Sequence, residues 1–208
     1  MEVIRQIFGE RDYDLSGFPQ YEKILAAYSG ILDEGCRPII IDAGANIGAS
    51  TVFFATAFPE ALVLAIEPEA DSARLCAVNA SAHMNTRTIV AALGGSAGNV
   101  SLDVPPGRSW AVRTERSPSG ATPLVTIPGL LDEEGSKARL LIVKIDIEGF
   151  ESDVFEQADE WIHEPAAILV EIHDWLYPGG GTSRSLFRAA AELEGDVMIR
   201  GENLVFIR

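Results

Sequence analysis

The chain has 208 residues, of which 47% are hydrophobic, and carries a formal net charge of −15 at pH 7. This length and composition predict one globular domain, residues 1–208, with a core of ordinary size. Because the charge is strongly negative and no cluster of Lys and Arg interrupts it, nucleic acid is excluded as an expected partner.

The N-terminal region, residues 1–36, predicts a helical segment and not a targeting signal. Its opening residues, MEVIRQIFGERDYD, carry charges throughout and lack the apolar stretch of a secretory signal. The longest apolar runs elsewhere, LLIVKI and AAILVEI, have the length of buried strands and are too short to cross a bilayer. We therefore expect a soluble, cytoplasmic protein that does not interact with membranes.

Short apolar runs alternate with longer amphipathic stretches along the chain, a pattern typical of βαβ units around a parallel sheet. The predicted strands are Pro38–Asp42, Leu62–Glu67, Arg87–Ala92, Leu140–Asp146 and Ala166–His173. The predicted helices are Gln20–Glu34, Ala49–Phe58, Asp71–His83, Phe150–Trp161 and Ser183–Glu194. The sequence therefore predicts an α/β fold with a mostly parallel sheet.

Two segments depart from this alternation. Residues 94–128 are rich in Gly, Pro and Ser, contain only weak strand pieces at Val100–Val104 and Ala111–Thr114, and are too long for an ordinary loop. We interpret them as an inserted arm or lid after the third strand. At the C-terminus, Val197–Arg200 and Leu204–Ile207 flank a Gly-Glu-Asn turn and predict a hairpin, which would add an antiparallel edge to the sheet.

The segment IIIDAGANIGAST places Asp42 at the end of a buried strand, and Gly44 and Gly48 on the turn into a helix. Glycines allow the backbone to approach a ligand closely, and the following helix N-terminus presents unpaired N–H groups. The spacing differs from the GxGxxG pattern of dinucleotide sites and from a P-loop. An aspartate at the mouth would repel phosphates but attract the cationic amino end and the sulfonium of S-adenosylmethionine. A tight turn without any ligand explains this loop equally well.

Glu67 ends the next predicted strand, in LVLAIEPEA, and is followed by Pro68, which fixes the direction in which the chain leaves the strand. A carboxylate about twenty residues after a glycine loop is placed to accept the ribose hydroxyls of a bound nucleoside. Taken alone, Glu67 could be an acid that is stabilised by a helix N-terminus. Together with the glycine loop, it favours a nucleoside site.

The segment LLIVKIDIEGFE, which begins with the predicted strand, carries Lys144, Asp146 and Glu148 at every second position, so that all three point to one face. Burying such charges is costly unless they are paired or hydrated, and a cleft at the carboxyl end of the strand would hydrate the two acids. Lys144 lies two residues before Asp146 on the same face, farther from the carboxyl end of the strand. An internal ion pair explains it at least as well as a catalytic role does.

The following strand, AAILVEIHDW, ends in a second polar cluster, with Glu171 and His173 on one face and Asp174 on the other. A neighbouring carboxylate would raise the pKa of His173 and orient its ring. We therefore hypothesise that His173, assisted by Asp146 or Glu171, acts as a general base. In an alternative interpretation, Mg²⁺ is held by side chains from the set Asp146, Glu171, His173 and Asp174. Clustered acids at a cleft equally suit a metal-free base.

Four segments, IIIDAGANIGAST, AIEPEADSARLCAVNA, LIVKIDIEGFES and VEIHDWLYPGGG, together resemble the FkbM family of methyltransferases. The resemblance covers almost the entire chain, is most specific at KIDIEGFE, and is weak in the arm and the N-terminal segment. It implies a class I, Rossmann-like fold with a seven-stranded sheet whose antiparallel last strand lies between the fifth and sixth strands. It also implies that Asp42, Gly44, Asn46 and Gly48 surround the methionine part of the cofactor, that Glu67 holds the ribose, and that Asp146 lies beside the transferred methyl group.

The resemblance implies an O-methyltransferase that acts on a hydroxyl of a sugar, glycan or natural product, with S-adenosylmethionine as cofactor. The predicted cofactor-binding residues are Asp42, Gly44, Ala45, Asn46, Gly48, Thr51, Glu67, Pro68, Ala92 and Asp146. The predicted catalytic residues are His173, Asp146, Glu171 and Lys144, and no residue is assigned to a metal. Two alternatives stay open: an NAD-dependent oxidoreductase, which the glycine spacing disfavours, and a cofactor-binding domain without turnover. The sequence predicts no oligomeric state.

Overall fold

The structure, a computed structural model, describes residues 2–103 and 113–208. The strands found there are β1 (Arg37–Ala43), β2 (Leu62–Ile66), β3 (Thr86–Ile89), β4 (Ala92–Leu93), β5 (Gly98–Asp103), β6 (Arg113–Arg116), β7 (Thr122–Val125), β8 (Ala138–Ile145), β9 (Ala167–Glu171), β10 (Asp196–Arg200) and β11 (Asn203–Ile207). Among these residues, β4 to β7 form a small sheet and the other seven strands form the main one.

The main sheet has the strand order β10-β11-β9-β8-β1-β2-β3. β1 pairs in parallel with β2 and β8, and the pairs β2–β3 and β8–β9 are parallel as well. β11 runs antiparallel to both of its neighbours, β9 and β10. The predicted α/β fold is therefore confirmed, with a mostly parallel seven-stranded sheet and an antiparallel last strand between the fifth and sixth.

The C-terminal hairpin differs from its prediction in one respect. The turn pattern alone predicts an antiparallel strand at the edge, whereas the edge strand is β10 and the antiparallel strand, β11, lies inside the sheet. Burial explains this arrangement, because Val205 and Ile207 of β11 are fully buried while Val197 and Ile199 of β10 are 62% and 72% exposed. The more apolar strand of the hairpin thus takes the interior position.

Helices pack on both faces of the main sheet. Because successive strand residues point to opposite faces, Ile39 and Ile41 of β1 belong to one hydrophobic cluster and Ile40 belongs to the other. The α-helices are α1 (Glu2–Ile4), α2 (Tyr21–Asp33), α3 (Ala49–Ala57), α4 (Ala70–Asn79), α5 (Ile127–Glu134), α6 (Glu151–Phe155) and α7 (Arg184–Ala190). None of the helices in the described parts of the chain is long and apolar enough to cross a membrane.

Two helical regions differ from the prediction. The region Phe150–Trp161 divides into α6 and a 3₁₀ turn at Ala158–Glu160. Helix α5 was not predicted, although its sequence contains an N-terminal signal: the Thr126 hydroxyl accepts a hydrogen bond from the N–H of Gly129, and Pro128 lies in the first turn. The Gly and Pro content of the segment before it conceals this signal.

The arm consists of the small sheet, with strand order β4-β7-β5-β6. The predicted strand Arg87–Ala92 in fact ends at Ile89, and Ala92 begins the small sheet. The weak strand pieces overlap β5 and β6, while residues 104–112, which include part of both pieces, lie outside the described residues.

The arm is attached to helix α6 by a polar contact. The Arg116 guanidinium of β6 forms an ion pair with Asp153 through Nε and Nη2. Asp153 also accepts a hydrogen bond of 2.9 Å from the N–H of Gly95. These contacts position the arm beside the carboxyl end of β8, from which the chain continues into α6.

Candidate active site

A cleft lies at the carboxyl ends of β1, β2 and β8, on the side of the arm. It is lined by Gly44, Asn46, Ile66, Glu67, Pro68, Ala92, Leu93, Thr114, Asp146, Ile147, Glu148 and Phe150. Six of the ten predicted cofactor-binding residues are in this set, namely Gly44, Asn46, Glu67, Pro68, Ala92 and Asp146. The arm contributes Ala92, Leu93 and Thr114, so the cleft lies between the two sheets.

The glycine loop is fixed by hydrogen bonds within the protein. The N–H groups of Gly44 and Ala45 both donate to the carbonyl oxygen of Ile66, at 3.0 and 3.1 Å. The N–H of Asn46 donates to Glu67 Oε2 at 2.9 Å, and that of Gly48 donates to the carbonyl oxygen of Ala45. These four donors are therefore already used. The loop offers a close-fitting surface to a ligand, in contrast to the unpaired N–H groups that the sequence suggests.

The two glycines of the loop serve different contacts. Gly44 has a φ of +74°, and a Cβ there would lie 1.7 Å from the carbonyl oxygen of Asp146. Gly48 has a φ of +87°, and a Cβ there would lie 2.9 Å from the Cα of Cys76 in α4. Gly44 thus allows β1 to approach the end of β8 at the cleft. Gly48 allows two helices to approach each other away from it.

Asp42 and Thr51 are buried beneath the loop and do not line the cleft. The Asp42 side chain has no exposed surface and accepts hydrogen bonds from the Ser50 hydroxyl at 2.8 Å and the Thr51 hydroxyl at 2.6 Å. Ala45 is likewise buried, against Ala65 and Cys76. The prediction that Asp42 stands at the mouth and attracts a cationic ligand is corrected, because its charge is enclosed and paired inside the protein.

Glu67 joins the glycine loop to the chain that follows β2. Its Oε2 accepts the N–H of Asn46, and its Oε1 accepts the N–H of Glu69 at 2.9 Å. The residue is only 6% exposed, and burial raises the pKa of its carboxyl above the ordinary value. Each carboxylate oxygen has accepted one N–H, so each retains capacity for a further hydrogen bond.

The second polar cluster surrounds the His173 imidazole, whose side chain is 2% exposed. Its Nδ1 donates to Glu151 Oε1 at 2.8 Å. Its Nε2 lies 3.5 Å from Glu171, 3.7 Å from Asp146 and 3.7 Å from Glu148. The structure thus brings three of the four predicted catalytic residues together, and Asp146 lies in both the cleft and the cluster.

The protonation of His173 argues against its predicted role as a general base. Burial lowers the pKa of this imidazole, but the hydrogen bond to Glu151 and the carboxylates of Glu171 and Asp146 outweigh burial and raise the pKa to about 11. At neutral pH the ring is therefore an imidazolium, which has no lone pair to accept a proton. The sequence correctly indicates a raised pKa, but the shift is too large for a base.

Lys144 is the fourth predicted catalytic residue, and its ammonium group is enclosed. Its Nζ lies 3.3 Å from Asp42 and 3.6 Å from Asp146, and it donates to the carbonyl oxygen of Gly44 at 2.8 Å. Burial would lower the pKa of Lys144, but Tyr13 and the two aspartates raise it above the ordinary value. Since the group stays charged and has only internal contacts, the structure favours the ion-pair explanation over catalysis.

Two residues of the cluster are absent from the predicted site. Glu148 lines the cleft, has a left-handed φ of +55°, and has its pKa raised to about 7 by burial and by the charges of Asp146 and Glu171, which outweigh the opposing effect of His173. Its alternation with Lys144 and Asp146 already indicated a position at a cleft, but the sequence analysis assigned it no role in the site. Glu151 is fully buried against His173, and no sequence signal separates it from an ordinary acid in the first turn of a helix.

A more open groove lies at the opposite, amino end of the strands. It is bordered by Lys23 and Glu34 near α2, by Leu131 of α5, and by residues 163–166 before β9. None of the predicted site residues borders it. Ligands of open α/β sheets bind at the carboxyl ends of the strands, so the cleft beside Gly44 and Glu67 is the candidate active site.

A family model described as the methyltransferase FkbM domain matches residues 42–195 of this chain. The match runs from Asp42 to the segment before β10 and includes the glycine loop, Glu67 and the whole cluster around His173. No curated protein has a detectably similar sequence.

Solved structures of similar shape are distant in sequence. They include a precorrin-6y C5,15-methyltransferase from Geobacter metallireducens GS-15, with 12% identity, a TM-score of 0.46, and coverage of 88% of this chain and 84% of that one. A proposed O-methyltransferase from Klebsiella pneumoniae has 11% identity, a TM-score of 0.48, and coverage of 99% and 90%. The plantazolicin methyltransferase BpumL, solved in complex with SAH, has 10% identity, a TM-score of 0.33, and coverage of 81% and 60%.

Proposed function

Because the chain belongs to the FkbM methyltransferase family, we propose that its cleft binds S-adenosylmethionine and that a hydroxyl group of a sugar, glycan or natural product is methylated there. One observation carries this proposal: Asp146 borders both the cleft and the cluster of carboxylates around His173. A methyl donor in the cleft would therefore lie next to groups that can bind and deprotonate an acceptor.

The residues of the cleft fit the proposed cofactor. Ile66, Leu93, Ile147 and Phe150 provide apolar walls of the kind that enclose an adenine ring. Glu67 keeps free acceptor capacity on both oxygens, which suits the two hydroxyls of a ribose. The loop N–H groups are already used, so the pyrophosphate of NAD would find few donors, and this argues against the oxidoreductase alternative.

We assign Gly44, Asn46, Glu67, Pro68 and Ala92 to direct contact with the cofactor. Asp42, Ala45, Gly48 and Thr51 support the loop from below, because they are buried or packed against α4. We further propose that residues 1–208 form a single domain, in which the arm covers the cleft. The expected location of the protein is the cytoplasm.

When bound, S-adenosylmethionine supplies an activated methyl group, whose bond to sulfur breaks as a bond to the acceptor oxygen forms. The chain's own contribution is to align the acceptor, exclude water and take the hydroxyl proton. Asp146 and Glu148 both line the cleft, so their carboxylates are placed to receive that proton. The His173 imidazolium, held by Glu151, positions these carboxylates.

The substitution Glu67→Gln tests the ribose contact. It replaces a charged acceptor by a neutral amide, and hydrogen bonds to charged groups contribute about 1.5 to 3 kcal/mol, so the Kd for S-adenosylmethionine should rise roughly 10- to 100-fold. The measurement is isothermal titration calorimetry, with unfolding in urea as a check on folding. Glu60→Gln, the same change at an exposed position, should keep the wild-type Kd. An unchanged Kd in a folded Glu67→Gln variant would rule out the contact.

The reaction itself is tested with a panel of hydroxylated acceptors and mass spectrometry. We expect a product that carries one added methyl group. Because Asp146 borders both the cleft and the cluster, Asp146→Asn should lower kcat by a larger factor than it raises the Kd for S-adenosylmethionine. Asp159→Asn, which changes an exposed acid outside the cleft, should leave kcat unchanged. Methylation of amines but not of hydroxyls would contradict the proposed acceptor class, and cofactor binding without any product would favour the domain without turnover.

A further inference from the structure

The strand β10, at one edge of the main sheet, has an unpaired side. β10 pairs with β11, and within the described parts of the chain no backbone group forms a hydrogen bond with its outer side. A two-residue turn joins the two strands and closes on the pair of Arg200 and Asn203. Because the backbone groups of successive strand residues alternate in direction, those of Val197 and Ile199 point away from β11. These groups are free to pair with another strand.

The side chains at the centre of this edge are apolar and exposed. Val197 and Ile199 are 62% and 72% exposed and lie on the same face of the sheet. Native proteins usually protect an edge strand with charged side chains or cover it. The opposite edge, β3, has such protection, since Arg87 forms ion pairs with Glu133 and Glu134 of α5. The three central residues of β10 carry no charge, so this edge favours association.

The sequence of β10, Asp-Val-Met-Ile-Arg, is complementary to itself. When a second copy of the strand pairs antiparallel with its centre at Met198, all five residues have partners. Asp196 then lies opposite Arg200 of the second copy, and Val197 lies opposite Ile199 of that copy. Moving the centre to Val197 or Ile199 would place one of the two charges opposite Met198. The register at Met198 is therefore the one that matches both charges and both β-branched side chains.

Both charged side chains are placed to form this cross-strand pair. Nε and Nη2 of Arg200 donate to the backbone carbonyl oxygens of Glu10 and Arg11, which hold the guanidinium in place. Its Nη1 has no hydrogen-bond partner among the described residues. Asp196 is exposed, and its Oδ2 lies 3.9 Å from Nζ of Lys23, at the outer limit of an ion pair. Each side chain thus retains capacity for a partner across the strand.

We propose that the chain forms a symmetric homodimer through β10, in which the two seven-stranded sheets join into one continuous sheet. The N–H and C=O groups of Val197 pair with those of Ile199 in the other copy, and their side chains cover each other. Because this contact is the same patch on both copies, it closes after two chains. One short strand from each copy makes the contact, so we expect a Kd of roughly 1 to 100 µM. The dimer does not depend on the proposed function.

The test is sedimentation velocity of the full chain from about 1 µM to 1 mM, in about 0.15 M salt, which largely screens the repulsion between the negative charges. The wild type should change from monomer to dimer as its concentration rises. Val197→Lys adds a charge at the centre of the contact and should raise the Kd at least tenfold. Val78→Lys makes the same change on a valine of α4 that is 60% exposed, and should dimerise as the wild type does. Circular dichroism confirms that both variants are folded.

An exchange of charges tests the register. Asp196→Arg and Arg200→Asp each place like charges opposite each other in their own dimers, so each should associate at least tenfold more weakly than the wild type. An equimolar mixture of the two variants restores opposite charges and should associate at least tenfold more tightly than either variant alone. Urea unfolding confirms that each variant is folded. Damage to a single chain would not be repaired by mixing.

Three results would overturn the proposal. The first is a wild-type chain that stays monomeric up to about 1 mM or that assembles beyond a dimer. The second is a folded Val197→Lys variant that dimerises as tightly as the wild type, because the contact would then lie elsewhere. The third is a mixture of the Asp196→Arg and Arg200→Asp variants that associates no better than its components.

Discussion

Replacing Gly44 with Ala is expected to destabilise the protein by about 3 kcal/mol or more and to abolish measurable binding of S-adenosylmethionine. The added Cβ would lie 1.7 Å from the carbonyl oxygen of Asp146, and the residue would have to keep a φ of +74°. The loop and the end of β8 must therefore move apart. Because Asp146 and Ile147 follow directly on β8 and line the cleft, this movement would also distort the binding surface.

The same substitution at Gly30 provides the matched control. Gly30 lies within α2, and a Cβ there would meet no atom within 4 Å. Gly30→Ala should therefore stabilise the protein by up to about 1 kcal/mol, since alanine is the better helix former. Both free energies can be measured by urea unfolding, and cofactor binding by calorimetry. If Gly44→Ala matched the wild type in both measurements, the close approach of β1 and β8 would have no importance for the site.

Replacing Lys144 with Met is expected to cost about 3 to 5 kcal/mol of unfolding free energy. The substitution has a similar size but removes the ammonium group that pairs with Asp42 at 3.3 Å and with Asp146 at 3.6 Å. Asp42 has no exposed surface, so its charge would remain buried. Within residues 2–103 and 113–208, only the hydroxyls of Ser50 and Thr51 would still donate to it. An uncompensated buried carboxylate is the origin of the expected loss.

Two further variants separate this effect from a general loss of charge. Lys23→Met makes the same change on a side chain that is 50% exposed and lies 3.9 Å from Asp196, and should cost less than about 0.5 kcal/mol. Adding Asp42→Asn to Lys144→Met removes the unpaired charge and should recover part of the stability. A double variant less stable than Lys144→Met would show that the pair does not account for the loss.

The strand pattern was enough to predict the parallel strands of the main sheet, because the central ones, β1, β2, β8 and β9, are almost entirely buried. The interior position of the antiparallel strand β11 was implied by the family resemblance and not by the pattern. The ends of these strands brought Gly44, Glu67 and Asp146 to one edge, so part of the cleft could also be predicted. The arm was harder to predict from the sequence, since Ala92 continues a strand pattern there but begins a different sheet in the structure. Local sequence patterns do not indicate the residue at which the chain leaves one sheet and enters another.

The chemistry of individual site residues depended on contacts that are distant in sequence. Asp42 could be placed at a strand end, but its enclosure depends on Lys144, about a hundred residues later. The requirement for glycine at position 48 arises from Cys76 in α4. The pKa of His173 depends on Glu151, whose position at the start of α6 suggested only a helix terminus. Such partners become visible only when the helices and strands are packed together.

The central claim, that the cleft beside Gly44 and Glu67 binds S-adenosylmethionine, is tested most directly by ligand-dependent stability of the wild-type chain. At a concentration about a hundredfold above its Kd, a ligand adds about 2.7 kcal/mol to the free energy of unfolding. We predict a saturable increase with S-adenosylmethionine and none with NAD. Stabilisation by NAD alone, or by neither compound, would contradict the assignment of this cleft to a methyl donor.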